Sequence, residues 1–191
     1  MKRIVVRRSG VHGRGVFALR PISAGELILE YAGTVMSWKQ AIARHRRFGK
    51  EGHTFLFGLS DGRVIDGSLG GNSARWLNHA CVANCEAVES NGRVHIYAVS
   101  DIQPGEELFI TYGLTVEGRL SAAVRAQYQC RCGHRRCRGT MLAATGRATR
   151  PRRQMPPVAA RLASRDKPPS FSDSIFQRGA TAKAVTPVPG T

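Results

Sequence analysis

Three thiols lie within eight residues in Cys130-Arg-Cys132-Gly-His-Arg-Arg-Cys137. A tetrahedral ion such as zinc wants four soft or borderline ligands, and a tight turn brings three together cheaply. The fourth ligand must come from elsewhere, with Cys81, Cys85 and His134 as candidates. The neighbouring Arg131, Arg135, Arg136 and Arg138 lower the cost of forming thiolates. The competing reading is three buried reduced thiols, which a segment this charged does not favour. A second concentration of polar groups runs from Asn72 through Arg75, Asn78, His79 and Cys81 to Asn84 and Cys85, just after Asp66-Gly-Ser and a Gly70-Gly71 pair. Side chains of this kind crowded at a strand exit point to a site, although each Asn or His alone also fits a hydrogen-bonded loop. A third segment, Gly105-Glu-Glu-Leu108-Phe-Ile-Thr-Tyr112-Gly113, ends a strand on a tyrosine that can present its hydroxyl or simply pack. Gly13-Arg14-Gly15 lacks the third glycine and the helix of a dinucleotide loop, and by itself reads as a turn.

The elements that must position these groups are mostly β. Short apolar runs at Ile4–Arg7, Val16–Leu19, Leu27–Tyr31 and Leu108–Tyr112 read as strands. Thr54–Leu59 and Arg63–Ile65 flank Asp61-Gly62, and Cys85–Glu89 and Val94–Ala98 flank Asn91-Gly92, both strong hairpin signals. Ser37 to Phe48 reads as a helix: Ser37 with Gln40 forms a capping box, Trp38, Ala41, Ile42 and His45 share a face, and Gly49 stops it. Arg119–Tyr128 reads as a second helix. There is no βαβ alternation, which excludes a parallel dinucleotide-binding sheet.

The chain has 191 residues, enough for one domain with a hydrophobic core plus a tail, and a formal net charge of +16. Such basicity points to polyanions, nucleic acid first. The composition breaks near residue 144: residues 144–191 hold seven of the nine prolines and nine Arg/Lys against two Asp. That stretch cannot bury enough apolar surface to offset its backbone entropy and is expected to be disordered, as a solvated tail or a polybasic arm. No apolar run approaches the ~18 residues of a membrane helix, no signal-peptide core follows Met1, and five Cys make no disulfide framework. No membrane association is expected. The Arg- and Ala-rich composition points to a bacterial cytoplasmic protein, nucleoid-associated or exported to a host, and a monomer is expected.

Taken together and in this order, the motifs resemble a SET-domain protein lysine methyltransferase with a post-SET zinc motif. The matching stretches are His12-Gly-Arg-Gly15-Val-Phe-Ala18, Tyr31-Ala-Gly33, Ile65-Asp66-Gly-Ser, Gly71 to Cys85 with its Asn78-His79-Ala-Cys81 core, Gly105-Glu-Glu-Leu108 with Tyr112-Gly113, and the three C-terminal cysteines. The resemblance implies a β-rich α+β fold of small curved sheets with a pseudoknot, the chain after Gly113 passing Asn78 and His79. The SET domain spans 1–115, the helix and post-SET segment 116–143, and the disordered basic tail 144–191. It also implies Cys81 as the fourth ligand beside Cys130, Cys132 and Cys137 of a structural zinc, with Cys85 spare.

The implied reaction moves a methyl group from S-adenosylmethionine to the side-chain nitrogen of lysine in a protein substrate, histone-like, ribosomal or of a host. The resemblance places His12, Arg14, Phe55, Arg75, Asn78, His79 and Arg131 around the donor, Tyr112 as the catalytic tyrosine, and Phe55, Ile110 and Tyr112 along the lysine channel. No dedicated base is evident, so activity is expected to rise toward alkaline pH. Some positions depart from the family pattern: Phe55 replaces a channel tyrosine, and Ile110 replaces a larger aromatic, which implies room for two or three methyl groups. Ala80, Ala83 and Thr34 replace a Ser, a Pro and a Glu. A second reading is a noncatalytic SET-like zinc module that binds nucleic acid or protein; the basic charge, Phe55 and the tail favour it, whereas Tyr112, Asn78, His79 and Arg14 favour the enzyme.

Overall fold

The structure, a computed structural model, describes residues 2–48, 54–116 and 121–143. The expected tail, 144–191, lies outside the described residues, as does the Gly49 helix stop. Among the described residues, ten short strands form three small sheets. The first contains β1 (Ile4–Arg8), β2 (Arg14–Ala18), β10 (Glu107–Ile110) and β7 (Asn78–His79), in that order. The second orders β3 (Leu27–Glu30), β9 (Arg93–Ala98) and β8 (Cys85–Ser90), and the third β4 (Thr34–Ser37), β6 (Arg63–Asp66) and β5 (Leu56–Gly58). Among the described strands, only β7 and β10 pair in parallel; the other pairs are antiparallel. The mostly β reading holds.

Burial alternates along β9 and β10. In β9, Val94, Ile96 and Ala98 point into the core while the residues between them are less buried. The Asn91-Gly92 turn that closes the β8–β9 hairpin has φ of +52° and +71°, the left-handed pair that a two-residue hairpin of native twist requires. The core joins the sheets through Val16, Ile22, Ile96, Ile102 and Leu108, all essentially inaccessible to solvent. Ile22 and Ile102 exchange backbone hydrogen bonds of 3.0 and 2.9 Å, tying the turn before β3 to the turn before β10. Each turn is braced by its own glutamate: Glu26 accepts from the Ser23 N–H at 3.0 Å and Glu106 from the Gln103 N–H at 2.8 Å.

The helix α1 (Trp38–Phe48) carries the expected capping box: Gln40 N–H donates to Ser37 Oγ at 3.3 Å, and Ser37 N–H to Gln40 Oε1 at 3.1 Å. A second helix, α2, covers Ala122–Gln127; Arg119 and Leu120 of its expected span lie outside the described residues. Strand β4 has no sequence signal, because its residues are largely exposed and do not alternate; pairing with the buried β6 makes it a strand. Between β6 and β7 the chain turns through one 3-10 turn, Ser73–Trp76, capped by the Asn72 side chain on the Ala74 N–H at 3.0 Å.

That turn lies against the Gly67 backbone. A Cβ at Gly71 would fall 1.9 Å from the Gly67 carbonyl oxygen, a backbone atom that cannot rotate away. Gly71→Ala is expected to cost about 3 kcal/mol and to lower Tm by roughly 10 °C. Gly10→Ala, where a Cβ meets nothing within 4 Å, is expected to melt like wild type. Thermal unfolding followed by circular dichroism checks both, and equal midpoints for the two variants would contradict this packing.

Candidate functional site

Two adjacent polar residues, Asn78 and His79, form β7, and both are buried. Their place follows from the parallel pairing: Phe109 stands opposite Asn78, and Ile110 opposite His79. Buried polar groups must be satisfied, and both residues reach across the sheet to do so. Asn78 Nδ2 lies 3.2 Å from the His12 carbonyl, 2.9 Å from the Arg14 carbonyl and 2.8 Å from Glu107 Oε1. Its two protons thus serve three acceptors and hold the His12–Arg14 turn against the sheet. Glu107 completes the clamp by accepting from Ser9 Oγ at 2.9 Å.

His79 is held just as firmly. Its Nδ1 accepts the Tyr112 N–H at 3.1 Å, and its Nε2 lies 3.5 Å from Cys81 Sγ. Burial, then the charge of Arg138, brings its pKa down to about 4 against the opposing Ile110 carbonyl, so the ring is neutral near pH 7. A neutral ring that accepts at Nδ1 carries its proton on Nε2, directed at the cysteine sulfur. The tyrosine loop therefore hangs on this imidazole, and Cys81 beside it meets the C-terminal cysteine loop.

Tyr112 sits beside this ring, with centroids 5.4 Å apart. Its hydroxyl donates to the Leu77 carbonyl at 2.7 Å, leaving oxygen lone pairs to accept from another group. Burial, and then the Glu107 charge, raise its pKa above the ordinary phenol range, so the hydroxyl stays protonated. A cavity of about 630 Å³ runs past it. His12, Arg14, Arg75, Asn78, His79 and Arg131 all line this cavity, and so do Phe55, Ile110 and Tyr112. The nine non-cysteine site residues read from the sequence thus meet in one space.

Aromatic and cationic groups shape the wall. Phe55 meets Trp76 edge-on with centroids 4.9 Å apart, and the guanidiniums of Arg14 and Arg75 lie 5.2 and 5.1 Å from the Trp76 ring. Arg75 is also 5.7 Å from the Phe55 ring, and its Nε is buried without a hydrogen-bond partner. Arg75 itself lines the cavity, and its guanidinium places a positive charge on that wall, which suits an anionic or acceptor-bearing ligand. Sequence reasoning missed the clamping pair Glu107 and Ser9, as well as Trp76 and Tyr31, whose hydroxyl donates to the Phe55 carbonyl at 3.2 Å. Only the Gly-Glu-Glu motif hinted at Glu107.

Cys81, Cys130, Cys132 and Cys137 converge, their sulfurs all within 4.8 Å of one another. Cys81 Sγ lies 3.6 Å from Cys130 Sγ and 3.8 Å from Cys137 Sγ. A tetrahedron with metal–sulfur bonds of about 2.3 Å has edges of about 3.8 Å, so the cluster fits a metal ion. Burial pushes the Cys130 thiol up to about 12. Cys132 is also desolvated, yet the Cys81 and His134 N–H groups aimed at its sulfur bring it down to about 7. Of the other candidate ligands, His134 Nδ1 is engaged by the Arg136 N–H at 3.0 Å. Cys85 lies in the hydrophobic core, its thiol pushed up to about 12 by burial, and stands outside the cluster. Elemental analysis is expected to find one metal ion per chain in wild type and Cys85→Ser, and a clear loss in Cys81→Ser. Equal loss in both serine variants would contradict the ligand set.

The family model described as the SET domain matches residues 13–113. The chain is 36% identical over 146 residues to the histone-lysine N-methyltransferase set1 of Dictyostelium discoideum, covering 73% of this chain and 9% of that protein. It is 36% identical over 138 residues to the human histone-lysine N-methyltransferase 2B, covering 70% of this chain and 5% of the relative. The chain thus spans less than a tenth of the length of these relatives. Among solved structures, ctPRC2 in an autoinhibited conformation bound to S-adenosylmethionine matches with a TM-score of 0.53 at 34% identity, over 59% of this chain and 15% of that one. With more than half of its length matched by the family model, and with the sheets and site described above, the chain belongs to the SET-domain family.

Proposed function

We propose that this chain transfers methyl groups from S-adenosylmethionine to the side-chain nitrogen of lysine in a protein substrate. The observation that carries this reading is the single cavity in which Asn78, His79 and the Arg14–Trp76–Arg75 wall adjoin Ile110 and Tyr112. Its volume is that of an ordinary ligand pocket. The Arg75 guanidinium on that wall supports an acceptor-bearing ligand. The substrate class supported by the relatives' names is a histone or a histone-like basic protein.

The chemistry asks little of the protein beyond alignment. The donor's methyl is already electrophilic. The lysine nitrogen's lone pair forms the N–C bond as the C–S bond breaks, the sulfur leaves as a neutral thioether, and the methylated nitrogen sheds its proton. The amine must arrive uncharged, and free lysine has a pKa of about 10.4. A dry channel beside a sulfonium disfavours ammonium. Tyr112, held as a neutral phenol, orients the amine by accepting one of its N–H bonds and does not act as a base. His12 and Arg131 would complete the donor's enclosure, and Phe55 with Ile110 would line the lysine channel. In this reading Cys81, Cys130, Cys132 and Cys137 hold a structural zinc, whose four thiolates leave no position for a reacting water.

Incubation with labelled methyl donor and a cell lysate tests the reading: wild type is expected to label a discrete band, and Tyr112→Phe to lose on the order of 10²-fold in rate. Equal labelling by both would reject the role of Tyr112, and no labelling by wild type would favour a noncatalytic module. With chemistry rate-limiting, the rate is expected to rise from pH 7 to 9 without a falling limb, because the Tyr112 pKa is raised rather than lowered; a flat profile would count against this. Because Ile110 is a smaller side chain beside Tyr112, mass spectra of exhaustively treated substrate are expected to show di- or trimethyl lysine. Ile110→Phe is expected to shift products toward monomethyl; a wild type that stops at one methyl would overturn this.

A further inference from the structure

The cysteine-bearing segment has a second property, of which the methyl-transfer reading uses only Arg131. Residues 121–143 hold five arginines and no aspartate or glutamate. Arg125, Arg131, Arg135, Arg136 and Arg138 are all exposed. Among the described residues, none of them enters an ion pair; the four pairs present use Arg3, Arg44, Arg63 and Arg93. Four of the five adjoin the cysteine cluster: Arg131 separates Cys130 from Cys132, Arg136 and Arg138 flank Cys137, and Arg135 is one residue further.

The backbone is fixed at these points. Cys130 N–H donates to the Gly139 carbonyl at 3.1 Å, Cys137 N–H to the His134 carbonyl at 2.8 Å and Arg138 N–H to Cys81 Sγ at 3.3 Å. Since the four sulfurs lie within 4.8 Å of one another, the backbone positions of four of these arginines adjoin a compact knot. Thiolate charge does not account for them. Four thiolates around a dication carry a net charge of about −2, against five guanidiniums.

We infer that this loop is a docking face for the phosphate backbone of duplex DNA. Guanidiniums match phosphate in geometry as well as charge. Duplex DNA offers one negative charge per about 1.7 Å of axis, dense enough to engage several arginines on one small knot. An acidic protein partner fits less well. Protein interfaces centre on buried apolar or aromatic anchors, and among the described side chains none of the exposed large hydrophobic ones lies in residues 121–143. This inference does not depend on catalysis, and its test measures binding alone.

The full-length, metal-bearing chain is titrated onto a short labelled duplex across about 50 to 200 mM salt. Removing both Arg135 and Arg136 as alanine is expected to weaken binding on the order of 10- to 100-fold. The slope of log K against log salt is expected to become shallower by about 1 to 2. Lys39→Ala with Arg46→Ala, an equal loss of charge from α1, is expected to leave the slope at the wild-type value. Arg135→Lys with Arg136→Lys, retaining charge on the same loop, is expected to keep most of the slope; metal content is measured for every variant, and a loop variant that has lost metal is replaced by Arg125→Ala. An unchanged slope in the loop variant, an equal effect from the α1 variant, or no binding by wild type would overturn the inference. So would a loop variant that loses affinity for an acidic peptide while holding DNA as wild type does.

Discussion

Two neighbouring polar side chains with no partner on their own strand organise this molecule. Asn78 and His79 are buried on a strand two residues long, where hydrogen bonds cannot be left to water. Asn78 finds its partners on segments remote in sequence, the His12–Arg14 turn and Glu107, while His79 holds the remote Tyr112 backbone on one side and the neighbouring Cys81 on the other. Satisfying them brings the N-terminal turn, the tyrosine and the cysteine loop to one place. Had either partner been water, the cavity would lose a wall.

The same interactions set protonation. The imidazole that accepts from Tyr112 is kept neutral by burial, which fixes its remaining proton toward the cysteine sulfur. The tyrosine is kept neutral for the same reason and directs its own proton to the Leu77 carbonyl. What the cavity presents is therefore a set of fixed dipoles and three guanidiniums, those of Arg14, Arg75 and Arg131. Such a surface serves a reaction in which the leaving group is already activated and geometry is the remaining requirement.

The sequence carried part of this on its face. Hairpins were legible where a turn dipeptide separates alternating runs, as at Asn91-Gly92, and the first helix where Ser37 and Gln40 cap each other. Three of the four cluster cysteines announced themselves by local spacing. The fourth came from the resemblance, because Cys81 meets them only through the fold, 49 residues from Cys130 in sequence. Glu107 and Ser9 were hidden for the same reason: they are 98 residues apart and meet by way of the β2–β10 pairing. Strand β4 was hidden because exposed residues carry no alternation and its partner β6 supplies the order.

Equilibrium binding of S-adenosylmethionine to wild type, Asn78→Ala and Tyr112→Phe tests the central claim most directly, because it separates holding the donor from using it. Wild type and Tyr112→Phe should bind alike, whereas Asn78→Ala, with the His12–Arg14 turn released, should bind at least tenfold more weakly, about 1.4 kcal/mol. Wild-type affinity in Asn78→Ala would show that the clamp does not build the donor site and would contradict the account.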